Sequence, residues 1–158
     1  MPSKKKDLSK HNASQVPSAK SMRFALVVSE WNEEITEALF EGAFKTLLKY
    51  GASPKNILRY NVPGSFELTL GAQRACKKKP HAVICLGCVI QGETKHFDFI
   101  CNAVANGLTS LNIKYNIPVI FGVLTTNSMQ QAIERTGGER GNKGVEAAVT
   151  AIRMAALK

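Results

Sequence analysis

Short runs rich in apolar residues, separated by longer stretches with a helical period, constrain this chain more than any other feature. Residues 23–28 (Arg23-Phe24-Ala25-Leu26-Val27-Val28), 81–89 and 118–125 are nearly continuous in apolar character, and 56–62 is a more mixed run of similar length. A short apolar run without polar alternation is the pattern of a strand covered on both faces, as in parallel sheets. Between the runs the period changes. From Glu33 onward, Ile35, Leu39, Ala43, Leu47 and Tyr50 recur every three or four residues. Glu33, Glu34 and Glu37 crowd the first turns and Lys45 and Lys49 the last, matching the helix dipole, and Gly51 marks a stop. Further helices are predicted over 66–79, closed by Pro80, over 97–115, and over 145–157. Ser128 reads as the N-cap of another, which Gly137, Gly138 and Gly141 interrupt. Strand and helix alternating four times predict an α/β fold. It has three αβα layers, a four-stranded parallel sheet with right-handed crossovers, and a flavodoxin-like arrangement.

A chain of 158 residues holds one such domain with a real core. No apolar run reaches the roughly 18 residues that span a bilayer. Lys4, Lys5 and Lys6 are followed by a polar stretch instead of the apolar segment of a secretory signal, so no membrane partner and a cytoplasmic location are expected. The net charge of +9 suggests nucleic acid until it is divided. Residues 1–22 hold five lysines and one aspartate, hence +4, and the other 136 residues carry +5. The first segment reads as a disordered basic extension and 23–158 as the domain, with no nucleic-acid partner. A mildly basic body suits an anionic substrate. Cys85 and Cys88 have metal-ligand spacing, but on a strand they point to opposite faces, so all four cysteines are read as small buried hydrophobes.

In parallel sheets ligands bind beyond the carboxyl ends of the strands. The loops expected there hold Trp31, then Ser65, Phe66 and Glu67, then Gly92, Glu93, Thr94 and His96. Gly92-Glu93-Thr94 before a helix offers backbone N–H groups and a hydroxyl to a phosphate. A histidine at a helix start stays neutral and can act as a base, although it can equally be an ordinary surface histidine. Glu67 can accept hydrogen bonds from substrate hydroxyls or sit as a first-turn glutamate. Trp31 can stack on a planar ligand or anchor its loop. Phe121 lies inside a strand, where core packing is the simpler reading, while Arg135 and Lys143 flank the glycine-rich break as free charges or anion partners.

Taken together, these segments carry a wider pattern. Val62-Pro63-Gly64-Ser65-Phe66-Glu67, then Gly87-Cys88-Val89-Ile90-Gln91-Gly92-Glu93-Thr94-Lys95-His96-Phe97-Asp98, then the run beginning Pro118-Val119-Ile120-Phe121 and finally Arg135 with Gly141-Asn142-Lys143-Gly144 follow in order. From about Arg23 to its end the chain resembles the 6,7-dimethyl-8-ribityllumazine synthase family of riboflavin biosynthesis. The resemblance implies condensation of 5-amino-6-(D-ribitylamino)uracil with 3,4-dihydroxy-2-butanone 4-phosphate, needing neither metal nor organic cofactor. It also implies roles: Trp31 stacks on the pyrimidine, Ser65 and Glu67, flanking Phe66, hold the ribityl chain, and backbone groups of Val89 and Ile90 read the ring edge. Gly92, the Glu93 N–H and Thr94 would bind phosphate, and His96 would move protons. In a homopentamer, which some relatives build into larger assemblies, Phe121 and Arg135 would reach into the neighbouring site, with Lys143 near the anion.

Overall fold

The computed structural model describes residues 7 and 9–157. Its elements run β1 (Phe24–Ser29), α1 (Glu33–Lys49), β2 (Ile57–Val62), α2 (Leu68–Cys76), β3 (Ala82–Ile90), α3 (His96–Tyr115) and β4 (Val119–Thr126). Then follow α4 (Met129–Ile133), β5 (Thr136–Gly138), β6 (Gly141–Asn142) and α5 (Lys143–Ala155). The four long strands form one parallel sheet in the order β2-β1-β3-β4, so the three-layer α/β architecture expected from the alternation is present. The chain winds outward from β1 in both directions, and the reversal falls between β1 and β3.

Side-chain alternation divides the core into two layers. Phe24, Leu26, Ile84 and Leu86 face α1 and α5, where they meet Leu39, Leu47 and Ile152. Val27, Val83 and Cys85 face α2 and α3, with Leu68 and Leu108. Each large aliphatic side chain so buried contributes about 1.5–3 kcal/mol. Cys85 and Cys88 do fall on opposite faces, and the four cysteines are free thiols. Burial pushes the Cys88 thiol up to about 11 and the Cys85 thiol further still, so both stay protonated.

Three local expectations needed correction. The helix foreseen over 66–79 is shorter: Ser65–Glu67 is a 3-10 turn and α2 ends at Cys76. Thr136–Gly138 and Gly141–Asn142 pair as a small antiparallel ribbon where only a glycine-rich break was expected. Gly137 and Gly141 take φ of 123° and 73°, values glycine adopts without strain, which lets the chain reverse there. Ser128 does cap a helix, its Oγ accepting from Gln131 N at 3.3 Å, but that helix has a single turn and a half. Residues 1–6 and 8 of the N-terminal extension lie outside the described residues. The domain uses more of the rest than the polar composition suggested: Ala19 is fully buried, Met22 nearly so, and Ala19 N donates to Tyr50 O at 2.8 Å.

Arg59 ties β2 to α1. Its Nη1 donates to Glu37 Oε2 at 2.9 Å, its Nη2 donates to the other carboxylate oxygen, and its guanidinium lies 4.3 Å from the Phe40 ring centre. The hydrogen bond from Arg59 holds the Glu37 carboxyl below its ordinary range, with burial opposing. A depressed carboxyl contributes stability that is present above its unfolded pKa of roughly 4.3 and lost as pH falls through the lower folded value. Arg59→Leu is expected to return Glu37 to an ordinary titration and to remove that acid-side dependence. An NMR titration of the Glu37 carboxyl, run with urea melts at two acidic pH values, measures both.

Candidate functional site

The carboxyl ends of β1, β2 and β3 are laced together by backbone bonds. Glu30 N donates to Val62 O at 2.8 Å and Trp31 N to Pro63 O at 3.0 Å, so the loop leaving β1 is hydrogen-bonded onto the exit of β2. Asn32, at φ 61° and ψ 48°, opens α1 without capping it. Its side-chain amide instead donates to Cys88 O on β3 at 3.1 Å, a use that suits asparagine, which tolerates the left-handed conformation. The backbone under Trp31 is thus fixed from two sides while its ring is 74% exposed. An exposed indole on a pinned backbone is a platform for a planar molecule.

Beside it lies a cavity of about 600 Å³. Trp31, Ser65, Phe66, Glu67, Val89, Ile90 and His96, all singled out in the sequence, line it together. Phe66 is 54% exposed and gives a second aromatic wall. Asn32, Gly64, Cys88 and Ile100 line it too and were not anticipated. Ile100 could have been found, since it lies one helical turn after His96 on α3; the role of Asn32 depends on a left-handed backbone that the sequence does not announce. Ser65 Oγ is buried without a protein partner. It faces Gly87, where a Cβ would stand only 2.7 Å from it.

The loop from Gly92 to Thr94 stands exposed at the mouth of β3, outside the cavity lining. Gln91 N donates to Thr126 O and Gln91 Nε2 to Gly92 O, both at 2.8 Å, which tie the loop to the sheet edge. Thr94 Oγ1 accepts from His96 N at 3.3 Å in the first turn of α3.

Phe121, Arg135 and Lys143 do not line the cavity of their own chain. Phe121 registers with Cys85, four residues before Val89 along β3, which sets it roughly 13 Å below the cavity rim at about 3.3 Å per residue. It lies on β4, the last strand of the sheet, and is 37% exposed. Arg135 Nη1 donates to Gln131 O at 2.8 Å and lies 3.8 Å from Glu134 Oε2. Lys143 Nζ donates to Glu146 Oε1 at 2.7 Å, and its backbone N–H donates to Arg135 O at 2.9 Å. Among the residues lining the cavity there is a carboxylate and an imidazole, but no lysine or arginine.

A doubly wound parallel sheet whose ligand-sized cavity opens where the strand order reverses defines an α/β protein with a small-molecule site at its topological switch point. The chain belongs to the 6,7-dimethyl-8-ribityllumazine synthase family, whose model matches residues 21–158. It is 60% identical to the 6,7-dimethyl-8-ribityllumazine synthase of Cytophaga hutchinsonii over 157 residues, 99% of this chain and 98% of that one. The proteins of the same name from Parabacteroides distasonis (55% identical; 94% of this chain, 93% of that one) and Flavobacterium johnsoniae (52%; 100% and 84%) are similar along their length. Among the described residues no helix is long and apolar enough to cross a membrane.

Proposed function

We propose that the protein condenses 5-amino-6-(D-ribitylamino)uracil with 3,4-dihydroxy-2-butanone 4-phosphate, giving 6,7-dimethyl-8-ribityllumazine and phosphate in the penultimate step of riboflavin biosynthesis. The observation that carries this reading is the convergence of Trp31, Ser65, Glu67, Val89, Ile90 and His96 on one cavity in a chain of that family. Trp31 stacks on the pyrimidine, with Phe66 as the facing wall. Glu67 and Ser65 hold the ribityl hydroxyls; the unpartnered, buried Ser65 Oγ is free for that bond. Backbone groups of Val89 and Ile90 meet the ring edge, while Gly92, the Glu93 N–H and Thr94 bind the phosphate. The pyrimidine amine adds to the ketone and water leaves as the imine forms. Loss of the C3 proton then expels phosphate and leaves an enol, which ketonises at C3; attack of the ribityl-bearing nitrogen on this new carbonyl closes the ring with loss of a second water.

Elimination of phosphate develops negative charge, and the cavity of a single chain holds no cation to receive it. Arg135, with Lys143 beside it, and Phe121 are supplied by the adjacent copy in a homopentamer, either alone or gathered into a larger shell. The catalytic domain is 23–158, preceded by an extension, and four free thiols, buried at Cys76, Cys85 and Cys88 and half-buried at Cys101, suit the cytoplasm.

Mixing the purified protein with both substrates and following the lumazine chromophore and free phosphate tests the activity, and sedimentation in the same buffer tests the assembly. Turnover by a pentamer is expected; a pentamer without turnover, or a fully active monomer, overturns the reading. His96→Ala is expected to lower kcat about tenfold to a hundredfold, less than a general acid–base group can contribute, because water or phosphate partly replaces the imidazole. Added imidazole should restore part of the rate.

A further inference from the structure

The ribbon β5–β6 carries Arg135 immediately before its first strand and Lys143 immediately after its second, so its placement sets where both cations stand. Two strands this short hold few bonds of their own and are marginal in isolation. Arg140 N donates to Glu134 O at 2.9 Å on the ribbon's inner side, and what fixes the ribbon to the rest of the domain is Asn142. Its Oδ1 accepts from Gly144 N at 2.7 Å and Val145 N at 3.3 Å, capping α5, and its Nδ2 donates to Ala38 O on α1 at 3.0 Å. Its backbone N–H takes a partner from far away in sequence, donating to Ser9 Oγ at 2.8 Å. Ser9 is held in turn. The His11 ring places Nδ1 2.9 Å from Ser9 O and Nε2 2.6 Å from Tyr50 Oη. The carbonyl can only accept, so Nδ1 donates to it, and in the neutral ring Nε2 accepts from the tyrosine hydroxyl.

We infer that Ser9 and His11 are positioning residues: the N-terminal arm crosses to the outer edge of the β5–β6 ribbon and, through Asn142, holds the Arg135–Lys143 cation pair in place for phosphate. This rests on the role proposed above for Arg135. None of the arm's described residues lines the cavity, so its effect falls on one substrate only.

Ser9→Ala removes the acceptor and Ser9→Thr keeps it. For Ser9→Ala, the KM for the phosphorylated ketone is expected to rise about fivefold, the yield of one lost hydrogen bond transmitted to a single ligand. The KM for the pyrimidine amine stays as in the parent, and Ser9→Thr restores the parent value. His11→Phe moves the same constant in the same direction. Equal changes in both KM values would mark a general loss of structure and overturn the inference, as would parent values throughout. A second readout needs no turnover: hydrogen exchange at the Asn142 amide, without substrate, should quicken about fivefold in Ser9→Ala and not in Ser9→Thr. Unchanged exchange there overturns the inference even if the protein proves active; quickened exchange in a protein without turnover upholds the strap and refutes the activity instead.

Discussion

Arg135→Ala is expected to lose roughly a hundredfold to a thousandfold in kcat, more than any other single substitution in the site. Removing one preorganised donor from a group that gains charge in the transition state has a cost of that order. Arg135→Lys recovers part of it, since the charge survives but the planar fork that grips two phosphate oxygens does not. The shared site proposed above carries a sharper expectation. Arg135→Ala chains retain His96, and His96→Ala chains retain Arg135. Unfolding the two variants together and refolding them as mixed pentamers should therefore rebuild intact sites wherever a chain of the first kind receives its cation from one of the second. With random one-to-one mixing about a quarter of the sites are whole, so activity rises to roughly a quarter of the unsubstituted protein's, about 2.5-fold to 25-fold above the better of the two variants. If mixing yields only the average of the two variants, cation and imidazole belong to the same chain and the intersubunit site is wrong.

The largest structural effect is expected at Gly144, where α5 crosses α1. A Cβ there would stand 1.9 Å from Leu39 O and 2.7 Å from its carbonyl carbon. These are backbone atoms inside a helix, so no side chain can swing away, and the two helices must part along the face that buries Leu39, Leu47 and Ile152. Gly144→Ala should destabilise the fold by about 3 kcal/mol, the upper part of the range for overpacking a core. For a domain of this size that lowers Tm by roughly 6–12 °C. Gly92→Ala is the control for stability, because nothing lies within 4 Å of its added Cβ. Thermal melts of both variants at one protomer concentration decide it; equal Tm values would mean that the α1–α5 contact is looser than described.

Much of the fold could be read from the chain because each strand is covered on both faces and each helix on one. Leu26 and Val27 must both be apolar, and Leu39 and Leu47 must recur at helical spacing, whatever the details. Strand ends slipped by a residue, since Ser29, Ile90 and Thr126 continue ladders set by their partners and not by their own hydropathy. The β5–β6 ribbon gave no signal: Thr136, Gly137 and Gly138 have no apolar alternation, and pairing there depends on two left-handed glycines. Residues 9–22 looked too polar to pack, yet they are held by individual hydrogen bonds and two buried side chains, Ala19 and Met22, which no average over composition detects. In the site, Trp31, Glu67 and His96 converge because every crossover delivers its loop to the same edge of the sheet. Nothing in their chemistry alone distinguishes them from ordinary surface residues. Arg135 was legible only as a free charge or an anion partner and Phe121 only as core packing; the family resemblance alone ties them to the site, since in this chain they stand apart from the cavity.

The placing of Cys85 and Cys88 gives the protein a pair of internal reporters. One thiol is sealed beneath α2 and α3, the other beneath the opposite layer, and burial keeps both protonated. A thiol reagent reaches either one only when the packing around it loosens: the α2–α3 layer for Cys85, and for Cys88 the opposite layer or the cavity wall it helps to line. Labelling rates read by mass spectrometry would therefore time the opening of each side of the molecule separately, with no engineered probe and no change to the sequence.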